Sequence, residues 1–191
     1  MEVITSGYTR KCKDNLGGLD EIYLFTFKKY SRSQIVVNNN ILTTFPPTTI
    51  FNYVFTFNAN FDNKGNENAG GKYYDESLSF TLPKIEVDYN LRKLLKQDLR
   101  AIVRDRNGKY RLLGAYNGLE CDGIKATIGN AKNSFNGYEI TLKGQEERES
   151  LYIDDLVDAG FLISGKTYYR ITQSGNIRFT QNNDNRITQN G

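Results

Sequence analysis

Carboxylates are the only catalytic raw material in this chain, because its 191 residues include no histidine and no tryptophan. That absence removes Ser-His-Asp and Cys-His catalysis, HExxH zinc sites and every His-ligated metal centre. Asp154-Asp155 with Asp158, or Glu146-Glu147, have the residue types for glycoside hydrolysis or Mg²⁺ binding. Adjacent carboxylates on a strand point to opposite faces, however, and make a poor acid/base couple. The Asp154 group also lacks the D-x-D-x-D-G spacing of a calcium loop. Cys12 and Cys121 are two thiols without a histidine, too few for structural zinc and for a disulfide framework. Gly65 to Gly71 lacks the GxxxxGK[ST] pattern of a phosphate loop and opens no helix. No catalytic, cofactor-binding or metal-binding residue is expected, and the chain is read as non-enzymatic.

Charge is the next candidate for function. The net value is only +3, too small for counterion release to drive strong nucleic-acid binding by the whole surface. Its distribution is uneven. Lys84 to Arg111 is rich in lysine and arginine, whereas Glu146 to Asp158 sets six carboxylates against Arg148 alone. Runs of this kind commonly form solvated faces. The sharper reading is a pair of complementary surfaces that meet between subunits, with Arg104, Arg106, Glu146 and Glu147 as the candidate interface residues. An alternative is a sequence-independent nucleic-acid-binding module of OB type. There Arg104, Arg106, Lys109, Tyr110 and Arg111 would interleave basic and aromatic groups on one hairpin.

The elements that must position these residues are mainly strands. At 38% hydrophobic and 13% aromatic residues, the chain can bury a core and is too apolar for full disorder. No stretch approaches the roughly 18 apolar residues of a membrane span, and Met1-Glu2-Val3-Ile4 is not expected to open a signal peptide. An irregular arm to about residue 20 leads into a strand over Glu21 to Tyr30, and Ile35 to Val37 forms a short one. Phe45-Pro46-Pro47 breaks the chain. From Thr48 to Phe61, Phe51, Tyr53, Phe55, Phe57 and Phe61 alternate with polar residues and predict a half-buried strand with an aromatic core face. Residues 62–72 are polar and glycine-rich and are expected to form a loop. The strand then resumes at Tyr73 with Leu78, Phe80 and Leu82 inward, giving a long 48–85 hairpin.

A short helix is expected between Asp88 and Asp98, with Leu91, Leu94 and Leu95 on its apolar face. Asn107-Gly108 predicts a type I′ hairpin turn between Leu99–Asp105 and Tyr110–Tyr116. Leu119 to Ile128 and Tyr138 to Lys143 complete a set of short strands pointing to a β-barrel or sandwich. Near the end, Arg170-Ile171-Thr172-Gln173, Arg178-Phe179-Thr180-Gln181 and Arg186-Ile187-Thr188-Gln189 recur at a spacing of eight residues. Strand–turn–strand–turn–strand, with Ile171, Phe179 and Ile187 on one face, is the expected form. The chain is thus divided into a barrel domain over residues 1–158 and a β-rich repeat extension over 159–191.

Three stretches in order carry a family resemblance. They are Lys11-Cys12-Lys13-Asp14-Asn15-Leu16-Gly17-Gly18-Leu19 running into Tyr23-Leu24-Phe25; Asn107 to Gly114 continued by Asn117-Gly118-Leu119-Glu120; and Asn136 to Leu142 followed by Gly144-Gln145-Glu146-Glu147. Over roughly Lys11 to Ile153 the chain resembles tail-tube-like virion structural proteins of tailed bacteriophages, especially those infecting Bacteroidetes-type hosts, crAss-like phages included. The order and spacing of the stretches carry the likeness, since each alone is a turn with flanking strand.

The resemblance implies a tail-tube-like β-barrel or sandwich with one short α-helix and no catalytic residues or cofactor. It implies closed rings, hexamers or dodecamers, whose inner strands join around a lumen for DNA ejection. Genomic DNA would pass without specific binding. The long hairpin and the N-terminal arm would contact neighbouring subunits, and other tail or head–tail connector proteins would be partners. The location implied is the virion tail, after assembly in the host cytoplasm. Two features depart from a plain tube subunit: the basic 84–111 stretch, expected to face outward or meet the acidic 146–158 stretch, and the repeat after Gly160. The role is therefore open between tube protein and ring, completion or adaptor protein.

Overall fold

Two runs, Ile22-Tyr23-Leu24-Phe25 and Leu99 to Val103, apolar except for Arg100, are buried at every position and mark the centre of the molecule. Successive strand residues point to opposite faces, so a strand buried throughout must be covered on both. The computed structural model describes residues 17–53, 58–83, 93–131, 134–164, 168–171 and 177–180. Within them the protein is mainly β. The strands in chain order are β1 (Leu19–Thr26), β2 (Val36–Asn38), β3 (Ile41–Thr44), β4 (Thr48–Tyr53), β5 (Ala59–Asn68), β6 (Gly71–Pro83) and β7 (Leu99–Asp105). There follow β8 (Tyr110–Leu113), β9 (Glu120–Ile128), β10 (Asn136–Glu146), β11 (Leu151–Ile153), β12 (Phe161–Ile163), β13 (Tyr168–Ile171) and β14 (Ile177–Thr180).

A first sheet of order β12-β4-β1-β7-β8-β11-β3-β2 curls into a half-barrel. Its interior holds Tyr23, Phe25, Phe45, Ile50, Ile102, Leu112, Ile153 and Phe161. Phe45 and Phe161 stack with ring centroids 4.9 Å apart, and Phe25 meets Phe45 edge-on at 6.2 Å. This aromatic cluster sits where the chain turns between β3 and β4. There Phe45 N–H donates to the Ala159 carbonyl at 2.7 Å and Thr48 N–H to the Gly160 carbonyl at 3.1 Å. Gly160 has φ +106°, and a Cβ there would lie 2.3 Å from the Phe45 carbonyl oxygen. Only glycine fits both demands.

A second, four-stranded antiparallel sheet of order β5-β6-β10-β9 packs on the outside of the first. Leu78, Phe80, Ile140 and Leu142 meet Ile22, Leu24, Ala101, Val103 and Leu113 across the layer between the sheets. The alternation expected for Tyr73–Leu82 and Tyr138–Lys143 is therefore present, with Leu78 and Phe80 fully buried and Leu82 partly so.

Several expectations need correction. The aromatic strand over Thr48–Phe61 is divided between β4 in the first sheet and β5 in the second. On β4 the buried residue is Ile50, while Phe51 is 52% exposed; Phe55 and Phe57 lie outside the described residues. Residues 62–68 form the second half of β5 and pair with β6 in continuous register to Asn68↔Gly71. Asn66 Nδ2 donates to Asp75 at 2.6 Å and Gly70 N–H to Asn68 Oδ1 at 2.8 Å. Side-chain amides thus help close a tight turn that composition alone reads as a loop.

The Asn107-Gly108 turn is not type I′, since only Gly108 has positive φ. Gly108 N–H donates to the Asp105 carbonyl, and the Asp105 carboxylate accepts from the N–H groups of Asn107 and Lys109. That bonding favours an ordinary first turn residue with glycine after it. A turn with two central residues of positive φ does occur at Asn39-Asn40, between β2 and β3. Asparagine tolerates that region.

Of the helix expected over Asp88–Asp98, residues 88–92 lie outside those described, while Lys93 and Leu94 are helical. The helical residues run into a closing turn, with Lys96 N–H donating to the Lys93 carbonyl and Leu94 buried between the sheets. Phe161–Ile163, the start of the expected extension, pairs in parallel with β4 as part of the first sheet. The first two repeat copies overlap β13 and β14, which pair antiparallel with Arg170 opposite Arg178 and Ile171 opposite Ile177. The third copy lies outside the described residues.

Candidate functional site

The second sheet presents an ordered outward surface. On its outward side β6 presents Ser77, Ser79 and Thr81, β10 presents Glu139, Thr141 and Lys143, β5 presents Asn60 and Asp62, and β9 presents Lys125. No arginine lies on this side of the paired strands, and its one large ring is Tyr73 near the hairpin end, opposite Asn66; the opposite side is the inter-sheet core. Its lysines sit beside acids. Lys125 Nζ lies 3.3 Å from Glu139 and Lys143 Nζ 2.9 Å from Asp122. A face built from hydroxyls, amides and lysines paired with acids has little to offer a phosphate backbone.

Beneath one end of this sheet lies a buried charge cluster that the sequence reading missed. Glu76 on β6 is 2% exposed and accepts a hydrogen bond from Gly114 N–H at 2.8 Å. Glu146 on β10 is 3% exposed and accepts from the N–H groups of Tyr116 and Asn117 at 3.0 and 2.8 Å. From the half-barrel side, the 1% exposed Arg100 donates to the carbonyls of Gly114 and Ala115. Its guanidinium lies 4.3 Å from the Phe27 ring centroid and 5.3 Å from that of Phe45. The loop from Gly114 to Gly118 is thus held by two carboxylates on one side and a guanidinium on the other. Gly144 makes room for it, because a Cβ there would lie 2.6 Å from the Gly118 carbonyl oxygen.

Burial governs the protonation of this cluster. Loss of hydration raises the Glu76 carboxyl from 4.5 to about 8, with the Gly114 hydrogen bond opposing and Glu146 adding to the rise. The same cause raises Glu146, against the backbone donors of Asn117 and Tyr116. Arg100 is lowered to about 10, again by burial. A cavity of about 650 Å³ opens beside the cluster, lined in part by Asp75, Glu76, Asn117, Lys143 and Gln145. The geometry suits anchoring a main-chain loop to two sheets. Alternation could have found the carboxylates: Glu76 continues the inward series Leu78 and Phe80, and Glu146 continues Ile140 and Leu142.

The four candidate interface residues are not brought together. Arg104 is paired with Asp20 at 3.3 Å and Glu21 at 3.5 Å, and it stacks 5.6 Å over Tyr110. Arg106 is exposed, its N–H donating to the Gly18 carbonyl. Glu147 is exposed and forms an ion pair with Arg32. Glu146 is interior, its carboxylate engaged by the chain's own backbone. Among the described residues no cluster of three or more His, Cys, Asp or Glu side chains could hold a metal ion, and no helix is long and apolar enough to cross a membrane.

With fold and site in view, the class defined is a β-protein whose strands β1 to β12 form a curled sheet and an open, polar-faced second sheet, with β13 and β14 paired apart from them. No family model, curated protein or solved structure matches the chain.

Proposed function

We propose that the chain is a non-enzymatic ring subunit of a phage tail, a tail tube or connector ring protein, whose second sheet lines a channel through which DNA passes. The resemblance of the three stretches within Lys11 to Ile153 supports this reading. The observation that carries it is the geometry of the second sheet.

Its strands β5, β6, β10 and β9 are antiparallel at every pairing, so their directions alternate down, up, down, up. A copy rotated about an axis along the strands brings a down strand beside an up strand. The sheet can therefore continue from subunit to subunit without breaking its antiparallel pattern, and close as a ring. One side of the sheet is occupied by the first sheet, which leaves the polar side for the lumen. The long β5–β6 hairpin extends beyond β10, whose pairing with β6 stops at Glu146↔Tyr74. It is thereby able to reach an adjacent subunit or ring.

Microscopy of the purified protein at high concentration, with class averaging, tests the proposal. Rings or short tubes with a central hole are expected. A monodisperse monomer that no tail component recruits would overturn it.

A further inference from the structure

The edge strands of the second sheet are shielded by charge for most of their length, by Asp62, Lys64 and Glu67 on β5 and by Glu120, Asp122 and Lys125 on β9. β5 and β9 each have one neighbour in the sheet, and their free edges carry no proline. Natural proteins commonly shield such edges with proline, bulges or charge. The bulge in the β9–β10 pairing is confined to the Glu120 end, between Thr141 and Leu142. The stretch of β9 above it runs without a bulge.

That stretch also has an apolar residue in the wrong place for a free edge. Ile128 lies on the same side of the sheet as Ile124 and Tyr138, the core side, yet it is 76% exposed. Across the sheet, β5 presents Ala59 and Phe61 on its own core side, both partly buried. On the polar side Lys125 of β9 is 71% exposed, and Asp62 of β5 is exposed.

We infer that β9 of one subunit pairs antiparallel with β5 of a second copy of this chain, in the register that sets Lys125 opposite Asp62. In an antiparallel pair the two residue numbers of every opposed couple have the same sum, here 125 + 62 = 187. The same register sets Ile128 opposite Ala59 and Ala126 opposite Phe61, since both couples also sum to 187. One alignment thus gives Lys125, already 3.3 Å from Glu139 of its own sheet, a second carboxylate across the seam and covers the exposed isoleucine on the core side. A shift of two residues one way places Lys125 against Lys64, a like-charge couple, and the other way places it against Asn60. This register rests on the ring reading above and adds to it the particular contact between subunits.

Paired cysteines test the register in the full chain, with Cys12→Ser and Cys121→Ser removing the native thiols. Lys125→Cys with Asp62→Cys should give inter-subunit disulfides on mild oxidation, seen as a ladder of covalent oligomers. Lys125→Cys with Asn60→Cys, and Lys125→Cys with Lys64→Cys, should give markedly fewer. The paired cysteines introduced at Lys125, Asp62, Asn60 and Lys64 all lie on the polar side of the sheet, and rings are scored on the parent chain, which keeps Lys125 and Asp62. Rings in the microscope with cross-linking strongest in a shifted pair, or in none of the three, would overturn the register and leave the ring reading standing. Absence of any oligomer would overturn both.

Discussion

Replacing Glu76 by glutamine should make the protein more stable at neutral and alkaline pH, by an amount that grows with pH. The side chain is 2% exposed, and its carboxyl is raised from 4.5 to about 8. Below the unfolded value both states hold the proton, so the carboxyl costs nothing there. Between the two values the folded protein keeps a proton that the unfolded chain releases, and stability falls as pH rises. Above the folded value the loss is complete. A rise of 8 − 4.5 = 3.5 corresponds to a full loss of about 5 kcal/mol, of which about 3 kcal/mol is already present at neutral pH. Glutamine keeps an oxygen to accept the Gly114 N–H and removes the ionisation. Urea unfolding followed by far-ultraviolet circular dichroism, at about pH 5, 7 and 9 and at concentrations too low for assembly, should show the two proteins diverging by about 4 kcal/mol across that range. Parallel stability curves would refute the assignment of a neutral, buried carboxyl to Glu76.

Two substitutions extend the argument to closure and surface charge. Gly160→Ala places a Cβ at 2.3 Å from the Phe45 carbonyl in a backbone of φ +106°; a loss of about 2 kcal/mol or more is expected, and an unfolding midpoint equal to the parent's would refute the tight closure at this point. Glu147→Lys removes an exposed ion pair with Arg32 and should change stability by no more than about 1 kcal/mol. If complementary charge contributes to assembly, sedimentation should show weaker association of this variant at low salt, and indifference to salt would remove that contribution while sparing sheet continuation.

Side-chain period and type made much of the fold legible. The inward positions of β6 and β10 follow from strict alternation, because one side of each strand meets water and the other meets core. The buried runs of β1 and β7 were readable as strands, but their coverage on both sides was not, since continuous apolarity does not say what lies above and below. The β5 half of the hairpin was illegible for a different reason. Its asparagines, lysine and glycine have low strand preference, and the ladder with β6 overrides it. Likewise the turn at Asp105 was decided by a carboxylate that captures two N–H groups, a contact that outweighs the preference of the Asn-Gly pair.

The candidate interface shows the same limit. Arg104 and Glu146 belong to conspicuous charge runs, yet Arg104 meets Asp20 and Glu21 at the start of the chain's own β1, and Glu146 folds inward onto the loop at Tyr116 and Asn117. Charge runs give sign and density along the chain. Which charges remain outside depends on partners far away in sequence.

By itself the sequence determined that this is a β-rich chain without histidine chemistry, with alternating strands at Tyr73–Leu82 and Tyr138–Lys143 of fixed inward faces, because period and residue type act locally. The tertiary structure alone decided that β1 to β12 divide into a curled sheet and an open one, that Glu76, Arg100 and Glu146 meet around a single loop, and that β5 and β9 form the edges of the open sheet. Those outcomes depend on contacts between residues distant along the chain, where the cost of burying a charge or leaving an N–H unpaired is settled only once both sheets are in place.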